Sequence, residues 1–264
     1  MITVHLSSVG LCGPGMVDWQ TGRAALRNER PLSGELPKPA PVILPPAEQR
    51  RCGQATRFAL QVALEAVSAG GIAPTEAAVV FASADADGQN LHYILESLAT
   101  PEHEVSPTRF HNSVHNAAAG YWNIATRATT PANSLAAYDC TFAAGLVEAA
   151  AQTVTENRPV LLVAFDLPFP SPLHEVRTIP APFATALMLT PQATATTLAQ
   201  LAIALEHPRG VESRCAEPEL ERLRSGNPAA HALPLLQAIA RQLPQKIVLS
   251  WGYNAVAIEV TGCA

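Results

Sequence analysis

The sequence has 264 residues, of which 48% are hydrophobic and 15% charged, and its formal net charge is −5. This length fits one large domain or two small ones, and the apolar fraction excludes an intrinsically disordered chain. The negative charge excludes a basic nucleic-acid-binding surface, and no apolar run reaches the length of about 18 residues that a membrane span needs.

The five cysteines are odd in number, far apart in the chain and contain no CxxC pair; they are Cys12, Cys52, Cys140, Cys215 and Cys263. This pattern argues against a zinc finger and against a disulfide framework. The start of the chain also has no basic segment before its first apolar stretch, so no secretory signal is expected. We therefore expect a reduced, cytoplasmic protein without a metal site.

The first elements follow from local patterns. The opening ITVHLSSVG alternates and is rich in β-branched residues, which predicts a strand that ends near Gly10. Residues 31–46 contain six prolines, which predicts an extended loop or covering arm rather than a helix or central strand. Apolar residues at helical spacing over 55–66 predict a helix that Gly70-Gly71 ends.

The middle of the chain predicts a layered α/β domain. Continuous apolar runs at 78–84 and 159–166 are typical of strands covered on both faces. Residues 133–139 predict a further strand, and 141–154 predict a helix that is apolar nearly all round and therefore buried. Strand, helix and strand in immediate succession indicate parallel strands with a right-handed crossover. Helices are also expected over NLHYILESLA and from Ala117 to Ala125.

The last third is less regular. Residues 183–190 and 198–206 fit a hairpin, and the polar stretch 207–230 is predicted as loop. HALPLLQAIARQL predicts a short helix interrupted early by Pro234. KIVLSWGYNAVAIEV predicts two strands around a turn from Gly252 to Asn254.

Cys140 is the strongest candidate for chemistry because it lies where a predicted strand meets the start of a buried helix. Unpaired N–H groups and the positive helix end at such a junction lower a thiol pKa and stabilise an oxyanion. The plainer interpretation is a small buried hydrophobic residue. A nucleophile also needs a base, for which His231 and, less well, His115 are candidates.

Other polar residues have simpler interpretations. His111 and His115 are spaced to face one side of a helix, but no third ligand is evident, so capping or interface hydrogen bonds are expected rather than a metal. Asp85 and Asp87 accompany no glycine fingerprint and are assigned to a turn. No Walker A, GxGxxG or GxSxG string is present.

Three runs resemble the central part of the β-ketoacyl synthase family, which has the thiolase fold: SVHNAAAGYWNIAT, NSLAAYDCTFAAGLVEAA and RPVLLVAFD. Asn116 and Gly120 match its N-x-x-A-G helix motif, and Cys140 falls on or within one residue of its nucleophile position. LSWGYNAVAIEV resembles its closing strand pair, with Gly252 and Asn254 retained. The resemblance implies a single thiolase-like domain of layered αβαβα type, with a complete N-terminal half (1–166) and a truncated C-terminal half (167–264).

The departures from the family decide the expected function. The His-x-Thr-x-Thr and Gly-His-x-x-Gly-Ala-Ala-Gly motifs are missing, the family's lysine cannot be placed, and the chain is short between about 190 and 240. Without these histidines Cys140 could at most hold an acyl group. Tyr138, Asp139 and Phe142 also replace the small residues that admit substrate in the family.

The pattern is similar to that of short chain-length-factor-type subunits of aryl polyene and related polyketide clusters. The resemblance implies a non-catalytic partner of a complete ketosynthase, which meets acyl carrier protein through the complex, needs no cofactor, and shapes the acyl tunnel across a heterodimer interface. The tunnel and interface residues expected are Phe110, His111, Asn116, Tyr121 and Phe142. Phe110 either limits chain extension in that tunnel or packs locally in its own subunit.

Two other function classes remain open. One is an active ketosynthase or acyltransferase in which Cys140 is the nucleophile and His231 or His115 is the base. The other is a stand-alone binding module, although no residue pattern names its ligand. A histidine within hydrogen-bond reach of the Cys140 sulfur would favour the enzyme.

Overall fold

A computed structural model describes residues 1–32, 35–36, 38–40, 42–207 and 210–262. The predicted positions Pro37, Pro41 and Cys263, and residues 208–209 of the predicted loop, lie outside the described residues. The strands are β1 (Ile2–Cys12), β2 (Ala78–Ala82), β3 (Ala132–Leu135), β4 (Val160–Asp166), β5 (Phe183–Thr190), β6 (Ala199–Glu206), β7 (Gln245–Trp251) and β8 (Asn254–Gly262). The α-helices are α1 (Trp19–Leu26), α2 (Pro46–Arg51), α3 (Gln54–Gly70), α4 (Gly88–Ala99), α5 (Pro107–His111), α6 (Ala117–Thr126), α7 (Thr141–Thr155), α8 (Leu173–Val176), α9 (Pro218–Gly226) and α10 (Leu233–Arg241). Two short 3₁₀ helices span Tyr138–Cys140 and Pro228–Ala232.

The described strands form one mixed sheet in the order β3-β2-β4-β5-β1-β6-β8-β7. β2 pairs in parallel with both β3 and β4, and the other pairs are antiparallel. The hairpin expected between 183–190 and 198–206 is wrong, because β1 lies between β5 and β6 and pairs with both. Local sequence spacing could not reveal that the N-terminal strand inserts there.

Helices cover both faces of this sheet. α3 and α6 each pack one apolar side against one face of the sheet, where they share a core with alternate residues of β2, β4 and β5. α7 and α10 share the other core with β1, β7 and β8. α7 lies so close to the sheet that a Cβ built on Gly145 would be 2.8 Å from the Cβ of Ala82. The buried helix expected after Cys140 is therefore observed, and it crosses over β2 and β4.

The C-terminal part adds β6, β8 and β7 to the sheet that the first five strands form, and no second separate sheet occurs among the described strands. The division at residue 166 stays a prediction. β5 follows that boundary in the chain and pairs with β1 and β4, so the two stretches share one core.

Two local expectations are wrong. The polar stretch predicted as loop contains α9, which buries Leu220 and Leu223 against the core and exposes its charged side. The predicted strand over 133–139 ends at Leu135, and its residues are half-buried or exposed because β3 is an edge strand.

Candidate functional site

The carboxyl ends of β2, β3 and β4 meet at one edge of the sheet, because these three strands run in parallel. Ser83 follows β2, Asp166 ends β4, and Cys140 follows β3 through the 3₁₀ turn Tyr138–Cys140. Cys140 is half-buried and is the N-cap residue of α7, so the structure places it at the strand-to-helix junction that the sequence predicts.

The sulfur of Cys140 accepts a hydrogen bond from the backbone N–H of Gly252 at 3.4 Å. Gly252 lies in the tight turn between β7 and β8, with a left-handed φ of +61° that favours glycine. The turn predicted near the end of the chain is therefore brought against Cys140 from 112 residues away.

The backbone around Cys140 is held by short-range hydrogen bonds. The N–H of Cys140 donates to the carbonyl oxygen of Ala137 at 3.0 Å. The hydroxyl of Thr141 accepts from the N–H of Ala137 at 2.9 Å and donates to the carbonyl of Tyr138 at 2.6 Å. An oxyanion site needs free donors aimed at the reacting oxygen. Here the N–H of Cys140 is already engaged, and that of Gly252 is directed at the thiol.

The histidine candidates have other partners. Nδ1 of His231 lies 3.4 Å from Oε1 of Glu212, although the 3₁₀ turn that carries His231 packs beside the one that ends at Cys140. Nε2 of His115 lies 2.9 Å from the carbonyl oxygen of Ser83. In the described parts of the chain no histidine hydrogen-bonds to the Cys140 sulfur.

Arg177 joins the turn before Cys140 to the loop after β2. Its guanidinium donates to Asp85 at 3.0 Å and to Asp139 at 2.7 Å, and it lies over the Tyr138 ring at 4.1 Å from the centroid. Burial opposes its charge, but the hydrogen bonds to Asp139 and Asp85 raise the pKa of Arg177 above its ordinary value. Asp85 is thus an ion-pair partner as well as a turn residue, while Asp87 caps α4 by accepting from the N–H of Asn90.

Asp166 is a buried carboxyl group that sequence reasoning missed. Its Oδ1 accepts hydrogen bonds from the Ser83 hydroxyl at 2.9 Å and from the Ala84 N–H at 2.8 Å. Burial raises the pKa of Asp166 to about 7, although these hydrogen bonds act to lower it. The signal available in the sequence was a single aspartate at the end of the apolar run PVLLVAFD.

Four of the five predicted tunnel residues line one groove of about 480 Å³ between α5 and α6: Phe110, His111, Asn116 and Tyr121. The Phe110 side chain is 71% exposed, so the alternative that it packs locally in its own subunit is wrong. Tyr121 is buried, and its hydroxyl donates to Oδ1 of Asn112 at 3.1 Å. Phe142 lies elsewhere, in the first turn of α7 with its side chain fully buried in the core, and a role for it in a tunnel stays a prediction.

The expected helical face shared by His111 and His115 is wrong. α5 ends at His111 and α6 begins at Ala117, so a turn separates the two histidines. The described residues contain no group of three or more histidine, cysteine or acidic side chains that could hold a metal ion. No helix among them is both long and apolar enough to cross a membrane.

The protein-family model of the β-ketoacyl synthase N-terminal domain matches residues 19–248 of this sequence. Similar solved structures include the ketosynthase (ApeO) in complex with its chain length factor (ApeC) from Xenorhabdus doucetiae, at 23% identity and a TM-score of 0.75, covering 98% of this chain and 100% of that chain. The ishigamide ketosynthase/chain length factor matches at 14% identity and a TM-score of 0.73, covering 98% and 99%. No curated protein matches the sequence. At these identities the likeness shows the fold, and the predicted thiolase-like layered α/β fold is confirmed.

Proposed function

This chain belongs to the β-ketoacyl synthase family, and from that premise we propose that it is a non-catalytic, chain-length-factor-like partner of a complete ketosynthase. The environment of Cys140 carries the proposal. The family's condensation uses two histidines beside the cysteine, whereas among the described residues the Cys140 sulfur has its hydrogen bond from Gly252 and none from a histidine. A thiol without a base is a poor nucleophile.

A heterodimer is favoured by the surface that the fold leaves open. β3 is a half-exposed edge strand, and the groove between α5 and α6 exposes large apolar side chains, among them Phe110 and Ile124. Open edges and apolar patches of this kind mark protein interfaces. The ketosynthase/chain length factor pairs to which the chain is similar support the same partner.

The process that we assign to this pair is aryl polyene, polyketide or fatty-acid-type chain elongation in the cytoplasm. Acyl carrier protein would meet the chain through the complex rather than directly. We assign Phe110, His111, Asn116 and Tyr121 to the wall that this subunit presents to the partner's acyl channel, because they line one groove.

The test is reconstitution with the ketosynthase partner followed by Cys140→Ala. Product formation by the pair should stay within about twofold of wild type, because Cys140 has no catalytic step to perform. The matched control is alanine at the partner's own catalytic cysteine, which should abolish products. A loss of about three orders of magnitude with Cys140→Ala, as for a required nucleophile, would refute the non-catalytic assignment.

One observation favours the alternative of an active acyltransferase. The half-buried Cys140 is the N-cap residue of α7 and its sulfur accepts a hydrogen bond from the Gly252 N–H, and a helix start of this kind is a place in a fold where a nucleophile can stand. In this alternative an acyl group passes from a donor thioester to the Cys140 sulfur and the donor thiol is released. Intact-mass measurement after incubation with an acyl thioester would detect the acylated chain, and Cys140→Ala would remove the added mass.

A further inference from the structure

A polar cavity of about 700 Å³ lies beside α5, on residues that the groove described above does not use. It is lined by segments of α2, α3, α4 and α5. Among its described lining residues, five are basic and one is acidic: Lys38, Arg50, Arg51, Arg57, Arg109 and, as the acid, Asp87. This concentration of positive charge stands out in a chain whose net charge is −5.

The arginines are positioned mainly by neutral groups. Arg57 donates from Nε to the carbonyl of Cys52 at 3.2 Å and from its guanidinium to the carbonyl of Gln49 at 2.5 Å. The guanidinium of Arg109 lies 3.9 Å from the centroid of the Tyr93 ring. Carbonyls and a ring fix the direction of these groups without neutralising them, so their charge stays available to an anion.

The carboxylates nearby offset only part of this charge. Arg51 lies 3.5 Å from Oε1 of Glu48, which pairs with it at the exposed end of α2. Asp87 uses Oδ1 to cap α4, and its carboxylate also interacts with the charge of Arg109, but it is one acid against five basic side chains. The cavity therefore keeps a positive balance at neutral pH.

The start of α3 adds a further attraction for negative charge. This helix has 17 residues, Gly53 as its N-cap, no side chain that caps its first turn and no acidic residue there. Asp87 already meets part of this attraction, because a Cβ built on Gly53 would be 2.0 Å from Oδ2 of Asp87, so that carboxylate lies beside the helix start and the arginines supply the remaining positive charge.

We propose that this cavity binds a small organic phosphate, with its phosphate held by Arg50, Arg57 and Arg109. Guanidinium groups match phosphate oxygens in pairs, and the volume lies within the roughly 300–1,000 Å³ usual for small-molecule sites. The hydroxyls of Ser106 and Thr108 line the same cavity and can donate to further oxygens. The inference is independent of the proposed function, since it uses neither Cys140 nor the interface groove.

Isothermal titration calorimetry of the purified chain with ADP, at fixed ionic strength, tests the proposal. Adenosine is the matched ligand without phosphate and should not bind. Arg50→Gln and Arg109→Gln should each weaken ADP binding by about tenfold or more, since each removes a charge-assisted hydrogen bond. Arg222→Gln, on α9 and outside the cavity lining, should leave the affinity unchanged.

Three outcomes would overturn the proposal: no heat from ADP at millimolar concentration, equal binding of adenosine, or an unchanged affinity in the arginine variants. Tighter binding of a phosphoserine peptide than of ADP would overturn the small-molecule assignment. Arg50 is exposed, so Arg50→Gln should fold normally, and a thermal melt of each variant checks this. The result does not depend on whether a ketosynthase partner binds.

Discussion

The carboxyl group of Asp166 is enclosed at the end of β4, where within the described residues its Oδ2 has no hydrogen-bond partner. Burial raises its pKa from 3.8 to about 7, so the folded protein keeps a proton that the unfolded chain releases at lower pH. Between these two values the folded state binds more protons, and its stability therefore falls as the pH rises. Burial raises the pKa of Glu65 to about 7 as well, which acts in the same direction.

We therefore expect Asp166→Asn to reduce the loss of stability between pH 5 and pH 8, because asparagine keeps the Oδ1 acceptor and cannot ionise. Urea denaturation of wild type and variant at the two pH values measures the difference. The exposed Glu219→Gln is the surface control. Parallel pH profiles for wild type and Asp166→Asn would contradict the assignment of this dependence to Asp166.

Phe110 supplies the second prediction at this scale. Its ring is 71% exposed on α5, so Phe110→Ala should cost the isolated chain little stability, well below the roughly 3–5 kcal/mol of a core phenylalanine. In the reconstituted pair the same change should lengthen the products, because the space left by the ring admits further two-carbon units.

Mass spectrometry of carrier-protein-bound products, beside a thermal melt of the complex, measures both effects. Val176→Ala is a control at another strongly exposed apolar side chain, on α8. Unaltered product length with Phe110→Ala would remove Phe110 from the gating role.

At the scale of elements, the approach of α3 to β1 depends on one glycine. A Cβ built on Gly10 would lie 2.0 Å from the carbonyl oxygen of Val62, a backbone atom that moves only if α3 moves. Gly10→Ala should therefore destabilise the chain by about 1–3 kcal/mol, as overpacking does.

Gly120 on α6 is the matched control, since no atom lies within 4 Å of a Cβ built on it. Gly120→Ala should stabilise the isolated chain by about 0.5–1 kcal/mol, because alanine favours the helix. Chemical denaturation measures both variants. Equal effects of the two substitutions would contradict the close contact between α3 and β1.

At the scale of the whole molecule, exposed apolar side chains collect around the predicted interface. Leu91, Leu95 and Leu98 follow one another at helical spacing on α4, and each is more than two-fifths exposed. Together with the edge strand β3, these residues give the isolated chain an apolar surface whose exposure to water is unfavourable.

The isolated chain should therefore self-associate, and co-expression with its ketosynthase should yield a one-to-one complex on size-exclusion chromatography. Ile124→Glu places a charge in the groove between α5 and α6 and should reduce recovery of that complex. Val211→Glu is the control, because Val211 is equally apolar and 91% exposed outside this groove. A stable, monodisperse monomer that does not bind the ketosynthase would argue against the interface.

The sequence by itself determined the elements whose patterns are local. These elements are the strands β2, β4 and β5 and the helix α7. A segment that is buried on both faces is apolar along its whole length, so its own residues are enough to predict it. The start of α7 directly after Cys140 could be predicted for the same reason, whereas β3 ends at Leu135 and a 3₁₀ turn joins it to Cys140.

Only the tertiary structure decided which distant groups meet. The Gly252 N–H at the Cys140 sulfur, the Ser83 hydroxyl at Asp166, and the insertion of β1 between β5 and β6 all join residues far apart in the chain. The basic cavity likewise needs four separate segments to meet. The spacing of side chains in the sequence indicates which residues share a face of one helix or strand. The contacts named here form only when the packing of the sheet and helices brings the ends of several elements together.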